Sequence, residues 1–259
     1  MGKRINEAAE KAPPEERSLS DWIYNQVKEK IIFFQYEPGQ FLTETMLASV
    51  FQVSKMPIKI AISQLESEGW VTTNFRCKTK VKGISEEDIK NIYDLRSLLE
   101  HHALDLIFQK QLALAYAVRL SHNLTRVYSN RNDRHSYLLA ERSMHSELIS
   151  ICENKRISTI YNNLQDNIIR ISCLIYSGQS VENSVSYTNT AINTWNNLIG
   201  HLRAKKYTQA KKQLSDHLEL GQYYAELGFQ KWYQENIRKP RTKFSAKNEP
   251  QETAVVINI

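Results

Sequence analysis

Cysteine, glycine and proline are all scarce in this chain, at 3, 8 and 6 of 259 residues. The three thiols, Cys77, Cys152 and Cys173, are odd in number, far apart and without a C-x-x-C pair. That excludes a disulfide framework and a structural zinc site, and Cys152 and Cys173 read as core residues. No phosphate-cradling glycine loop or nucleophile elbow of the kind many enzymes depend on is visible, and so few glycines leave little room for one. No apolar run approaches 18 residues and the mean hydropathy is -0.50, so no membrane-spanning helix is expected. The first 17 residues are charged and carry no apolar stretch, so no secretory signal is visible. The expectation is a mostly helical protein of a reducing, cytoplasmic compartment, long enough for two domains.

What is present is a modest excess of positive charge, net +6, unevenly spread. Between Val53 and Gly83 stand Lys55, Lys59, Arg76, Lys78, Lys80 and Lys82 against only Glu66 and Glu68. A basic stretch of this kind suits phosphates, although a solvated basic surface has the same composition. The hydrophobic periodicity around it predicts helices over 18–34, 43–50 and 54–68, then short extended runs at 70–74 and 79–82. Thr43 and Ser54 stand at capping positions, Pro57 in a first turn, and Gly69 at a helix end. Three helices and a two-stranded hairpin outline a winged helix-turn-helix, whose third helix fits the major groove of duplex DNA. The same outline also serves as a protein-docking module.

Residues 1–17 read as a flexible arm and 18–83 as the winged helix-turn-helix. Residues 84–236 read as a helical domain and 237–259 as a disordered basic tail. In the third segment Ser85 caps a long helix to about 108, followed by helical stretches at 112–129, 136–152, 155–177, 186–204 and 207–235. No strand alternation interrupts them, so the fold class is mainly α, a winged helix followed by an all-helical bundle.

The stretch 39–81 resembles the DNA-binding domain of the GntR superfamily of bacterial transcription regulators. The resemblance is carried by Gly39-Gln40-Phe41-Leu42-Thr43-Glu44, Val53-Ser54-Lys55-Met56-Pro57 and Leu65-Glu66-Ser67-Glu68-Gly69. Tyr93-Asp94-Leu95-Arg96-Ser97-Leu98-Leu99-Glu100 is similar to the opening of the family's FadR-type effector domain, FCD. The family implies a dimer that reads a palindromic operator, a repressor by default, whose DNA affinity responds to a small carboxylic acid. On that resemblance Ser54, Lys55, Met56, Lys59, Arg76 and Lys78 would contact DNA, with Thr43, Glu44 and Gln64 beside them. Departures are visible too. The family commonly reads V-S-R-T-P-V-R-E-A-L where this chain has VSKMPIKIAI, and lysine keeps the charge while losing arginine's bidentate fork. The wing also lacks the usual Arg-Gly pair, so the preferred operator is expected to differ.

Many members hold a divalent metal through an Asp-x-x-x-His pair and two later histidines. Here the resemblance gives Glu141, His145 and His217, with Trp195 where a further histidine is expected. An i, i+4 pair puts both ligands on one helix face. Two arrangements follow: the three remaining groups hold Zn, Ni or Mn, or Trp195 fills the metal space and the pocket takes an organic effector alone. Arg96 is expected inside the bundle as the grip for a carboxylate, with Arg170 a second grip and Tyr93 and Trp195 as walls. Arg96 could equally pair with Glu100 or Glu141 as a structural ion pair. Two further readings of the whole chain stand beside the regulator: a DNA-binding protein whose helical domain is only a dimerisation scaffold, and, remotely, a metal-dependent enzyme.

Overall fold

The computed structural model describes residues 18–74, 78–176 and 181–238. Helix α1 (Leu19–Ile32) starts at Ser18, whose hydroxyl accepts the Asp21 amide, and buries Ile23, Val27 and Ile31. Helix α2 (Glu44–Phe51) is capped by the Thr43 hydroxyl, which accepts the Met46 amide at 3.1 Å. Helix α3 (Lys55–Ser67) buries Ile58, Ala61, Ile62 and Leu65, one face at helical spacing. Ser54 stands at the position before it, yet its side chain makes no capping bond. Gly69, at φ +77°, takes the left-handed turn that ends this segment.

The expected hairpin forms from β2 (Val71–Asn74) and β3 (Lys78–Val81), paired antiparallel with Val71 opposite Val81. Two details differ from the sequence expectation. Lys82 lies outside the strand, and β1 (Phe41–Leu42) adds a third strand on the far side of β3, giving the order β1-β3-β2. A two-residue strand has no alternation to read, and Gly39, at φ +82°, turns the chain into it.

The helical domain opens with α4 (Glu86–Gln109), held by a reciprocal capping box between Ser85 and Asp88. Helices α5 (Ala113–Ser129), α6 (Arg134–Ile149), α7 (Lys155–Tyr176), α8 (Val181–Arg203) and α9 (Tyr207–Tyr233) follow. Helix α6 begins two residues earlier than the periodicity suggested, because Asp133 accepts the Ser136 amide. It ends in a 3-10 turn, Ser150–Cys152, where a longer helix was expected. Helix α9 packs on α4, α7 and α8 and forms the spine of the bundle. The expected flexible arm and basic tail fall on residues 1–17 and, from 239 onward, outside the described residues.

The two domains share one apolar core. Ile23, Leu47 and Leu65 of the head belong to the same buried cluster as Leu104, Leu148, Trp195 and Leu214 of the bundle. Helix α1 lies against α7, and Lys28 crosses the joint, 3.2 Å from Glu68 and 3.0 Å from Asp166. The head is therefore seated on the bundle.

One close helix crossing lies within the bundle. A Cβ on Gly228 of α9 would stand 2.1 Å from the Leu174 carbonyl oxygen of α7, an overlap that only separation of the two helices relieves. Gly228→Ala is expected to destabilise the protein by about 1–3 kcal/mol, the usual range for overpacking. Chemical denaturation of both proteins measures it; an unchanged midpoint would show the crossing to be looser.

Candidate nucleic-acid interface and metal centre

With one face of α3 buried, its other face is turned to solvent. Lys55, Met56, Lys59, Ile60 and Gln64 are all exposed there, Met56 by 67% and Ile60 by 50%. Glu44 at the start of α2 comes within 3.9 Å of Lys59, a solvent-exposed pair worth little to stability but able to restrain the lysine. Thr43 is occupied in capping α2, while Ser54 is exposed and makes no cap bond. Gln64 reaches Glu68 at 3.5 Å. Lys78 opens β3 opposite Asn74, and Arg76 lies outside the described residues. On the same strand Lys80 sits 5.8 Å over the exposed Phe41 ring of neighbouring β1, a pair that charge counting alone could not single out.

At the centre of the bundle four helices bring charged groups out of water. From α4 come Arg96 and Glu100, 3% and 0% exposed, from α6 Glu141 and His145, from α9 His217, and from α7 Tyr161. Arg96 Nε donates to Glu100 Oε1 at 2.9 Å, Tyr161 donates to the same oxygen at 2.8 Å, and His145 Nδ1 donates to Glu100 Oε2 at 2.8 Å. Burial alone would raise the Glu100 carboxyl, but His145 and Arg96, by charge and hydrogen bonding, hold it far below the usual carboxylate range. Tyr93 lies beneath Arg96, its ring 5.5 Å from the guanidinium carbon.

The bonds around the two histidines fix their tautomers. When the His145 ring is neutral, with Nδ1–H given to Glu100, its Nε2 is an acceptor. Thr194 Oγ1 donates to the Ala191 carbonyl at 2.7 Å, so it accepts from His217 Nδ1 at 2.7 Å and His217 Nε2 is an acceptor as well. Burial and the neighbouring His145 push His217 down to about 3, so this ring is neutral at ordinary pH. The two Nε2 atoms face each other at 3.3 Å, and Glu141 Oε1 stands 3.7 Å and 3.6 Å from them. Three lone-pair donors in a triangle of this size share a central point about 2 Å from each, the bond length of zinc to imidazole and carboxylate. The donor set thus fits a divalent cation.

Two observations qualify the expected pocket. Arg96 Nη2 also donates to His145 Nε2, the lone pair that a cation would use. The cavity beside Arg96, Glu141 and His145 has a volume of only about 10 Å3, room for one water-sized sphere. Trp195 packs on the rings of both histidines, 4.7 Å from each, and its buried Nε1 has no hydrogen-bond partner among the described residues. The structure places Glu141, His145, His217, Arg96, Tyr93 and Trp195 together at the bundle centre. Arg170 lies apart from them: it points to the joint between the domains, where it donates to the Lys82 carbonyl and lies 5.8 Å from the Trp70 ring. Arg96 and Arg170 stand on different faces of the packed helices, and spacing along one helix could not tell which face turned inward. Thr194 and Tyr161 went unnoticed in the sequence, since their partners come from other helices.

A polar chain leads away from this centre. Arg142, on the cavity wall, bonds Gln165 at 2.6 Å and Asp166 at 3.0 Å, and Asp166 meets Lys28 of the head. Lys28 in turn meets Glu68, which also accepts from Tyr24 at 2.6 Å and Trp70 at 3.2 Å. Glu68 is the residue that closes α3.

Removing the carboxylate charge of Glu100 would leave Arg96 buried without its counter-ion. Glu100→Gln is therefore expected to lower stability by about 3–5 kcal/mol, the range for breaking a buried pair from one side. Thermal and denaturant unfolding monitored by circular dichroism would reveal it, and a loss below about 1 kcal/mol would mean that water enters this centre.

Comparison with known proteins agrees with this architecture. The family profile "Bacterial regulatory proteins, gntR family" matches residues 19–81, and the profile "FCD domain" matches residues 91–220. The HTH-type transcriptional regulator YdhC of Bacillus subtilis is 25% identical over 158 residues, covering 60% of this chain and 70% of its own. The gluconate operon transcriptional repressor of the same organism is 26% identical over 141 residues, or 54% of this chain and 58% of that protein. Among solved structures, E. coli McbR/YncC superposes with a TM-score of 0.65 at 17% identity, over 83% of this chain and 99% of the other, a likeness of fold. These relatives are transcriptional regulators and not enzymes. The chain belongs to the GntR family of bacterial transcriptional regulators, with an FCD domain behind its winged helix.

Proposed function

We propose that this chain is a dimeric repressor that reads a palindromic operator through α3 and releases it in response to a small carboxylic acid. The observation that carries the operator reading is the outward face of α3, where Lys55 and Lys59 flank the exposed Met56 and Ile60. The lysines suit phosphate oxygens, and the apolar pair suits thymine methyl groups in the major groove. Ser54, Gln64, Thr43, Glu44, Arg76 and Lys78 belong to the same proposed interface. Two such heads would need a second copy, and α4 and α5 leave Leu95, Leu98, Leu114 and Val118 exposed, apolar area of the kind a subunit contact covers.

For the helical domain, Glu141, His145 and His217 would hold a divalent cation, zinc, nickel or manganese, leaving open positions for water or an effector carboxylate. When bound, it would supply a positive centre in a region that excludes water. Glu100 and Thr194 would keep both imidazoles in the metal-binding tautomer, the role of outer-shell partners in metal sites. Arg96 would have to give up its bond to His145, and Trp195 would close the remaining side. A second reading, in which the bundle is a dimerisation scaffold without an effector, is favoured by the mutual saturation of Arg96 and Glu100 beside a cavity of about 10 Å3.

Fluorescence anisotropy with DNA from the protein's own upstream region, against scrambled DNA over a salt series, tests the operator reading. Selective binding that weakens with salt is expected, and Lys59→Ala should lower affinity while reducing the salt slope by about one counterion. Equal affinity for both DNAs would overturn it. For the metal, Zn2+, Ni2+ and Mn2+ added to chelator-treated protein should raise the thermal midpoint by several degrees, and His217→Ala should abolish the effect. An identical response in the variant would remove these three residues from consideration as ligands.

A further inference from the structure

A second cavity, of about 140 Å3, lies where the head meets the bundle. Its walls include Glu68 and Trp70 from the head, Lys82 from the connection, and Asp88, Asn167 and Arg170 from α4 and α7. This is several times the ~30 Å3 share of one liquid water.

Arg170 is 4% exposed, and among the described residues no carboxylate ion-pairs with it. Its partners are the Lys82 carbonyl and the face of Trp70, and its Nε has none. Burial pulls its basicity down to about 10. The acids that share the cavity are already engaged. Glu68 accepts from Tyr24, Lys28 and Trp70, and Asp88 accepts from the amide and hydroxyl of Ser85. Asp88 acts on this guanidinium by charge but makes no ion-pair contact with it, so a buried cation is left short of acceptors, and its planar donor edge matches a carboxylate. The two acids nearby disfavour ions of higher charge. At the bundle centre the opposite holds: Arg96 is ion-paired with Glu100 and bonded to His145, beside a cavity of about 10 Å3.

We infer that the joint between the domains is a binding site for a small monocarboxylate, with Arg170 as its principal contact. The inference rests on the regulator reading above and adds a carboxylate site at this joint to the one proposed at the bundle centre. A ligand there touches head, connection and bundle together, so its affinity depends on how the head is seated. Reciprocity then requires that it alter DNA affinity by the same factor by which DNA alters its own.

The test titrates the full chain with sodium acetate, using sodium chloride at equal ionic strength as reference and sodium phosphate as the higher-charge comparator. Thermal midpoint and tryptophan fluorescence are read together. Acetate is expected to raise the midpoint and change the fluorescence, phosphate to do so less, and Trp70→Phe to remove the optical change. Arg170→Gln and the milder Arg170→Lys should raise the half-saturating acetate concentration at least about tenfold, the loss expected when a bidentate charged contact is removed. Arg96→Lys should retain the response. If Arg170→Gln does not fold by circular dichroism, Arg170→Lys carries the comparison. No acetate response, or one lost in Arg96→Lys and kept in Arg170→Lys, overturns the inference. A DNA-anisotropy arm keeps the readings apart: absence of any DNA binding refutes the regulator reading, while the thermal response still decides the site.

Discussion

A guanidinium and a carboxylate face each other where four helices converge, and much of the bundle is arranged to make that bearable. Arg96 and Glu100 lie one turn apart on α4 and are essentially removed from water. Two such ions would be costly to desolvate if left alone. Each is therefore bonded again, Glu100 by Tyr161 of α7 and His145 of α6, and Arg96 by His145 and the Tyr93 ring. These bonds fix the rotation of α4 against α6 and α7. They also set the tautomer of His145, so the geometry of the three-donor cluster with Glu141 and His217 is a consequence of the ion pair. A substitution at Trp195 changes what surrounds the cluster, while the electrostatics that orient its ligands remain in place.

The second constraint is that head and bundle do not have separate interiors. One apolar cluster runs through both, and Lys28 bridges Glu68 at the end of α3 to Asp166 on α7. A solvated linker would let the head rotate freely. Here a change of position would have to break ion pairs and expose apolar surface, so the head has a small number of favourable seats. That is the physical requirement for a two-state element on which a ligand could act. The chain Arg142–Asp166–Lys28–Glu68 touches the wall of the bundle-centre cavity at one end and the C-terminal cap of α3 at the other.

The exposed surface of α3 differs in chemistry from its family pattern. Lysines replace arginines, and Met56 and Ile60 present bare apolar side chains beside them. A point charge on a flexible stem contacts phosphate well but discriminates guanine less sharply than a fork does. In the proposed interface the apolar pair would compensate in kind, since thymine methyls are the apolar feature of the groove.

Much of the architecture could be read from residues alone, because local physics specifies it. Helix α3 follows from Ile58, Ala61, Ile62 and Leu65 at helical spacing, the start of α2 from Thr43, and the start of α4 from Ser85 and Asp88. The pairing of Glu141 with His145 on one face follows from the i, i+4 rule, while His217 is assigned to the same cluster by the family resemblance. What spacing could not convey was which atoms meet across helices. The strand Phe41–Leu42 exists because β3 offers it a partner, and Tyr161 and Thr194 matter because α7 and α8 carry them to Glu100 and His217. Arg170 shows the limit most clearly. Its sequence neighbourhood suggested the same pocket as Arg96, but a helix turns 100° per residue, and only the packing of α7 against both α1 and α4 decided that this guanidinium would face the joint. Local periodicity fixes which side chains are buried; the relative rotation of packed helices fixes what they are buried against.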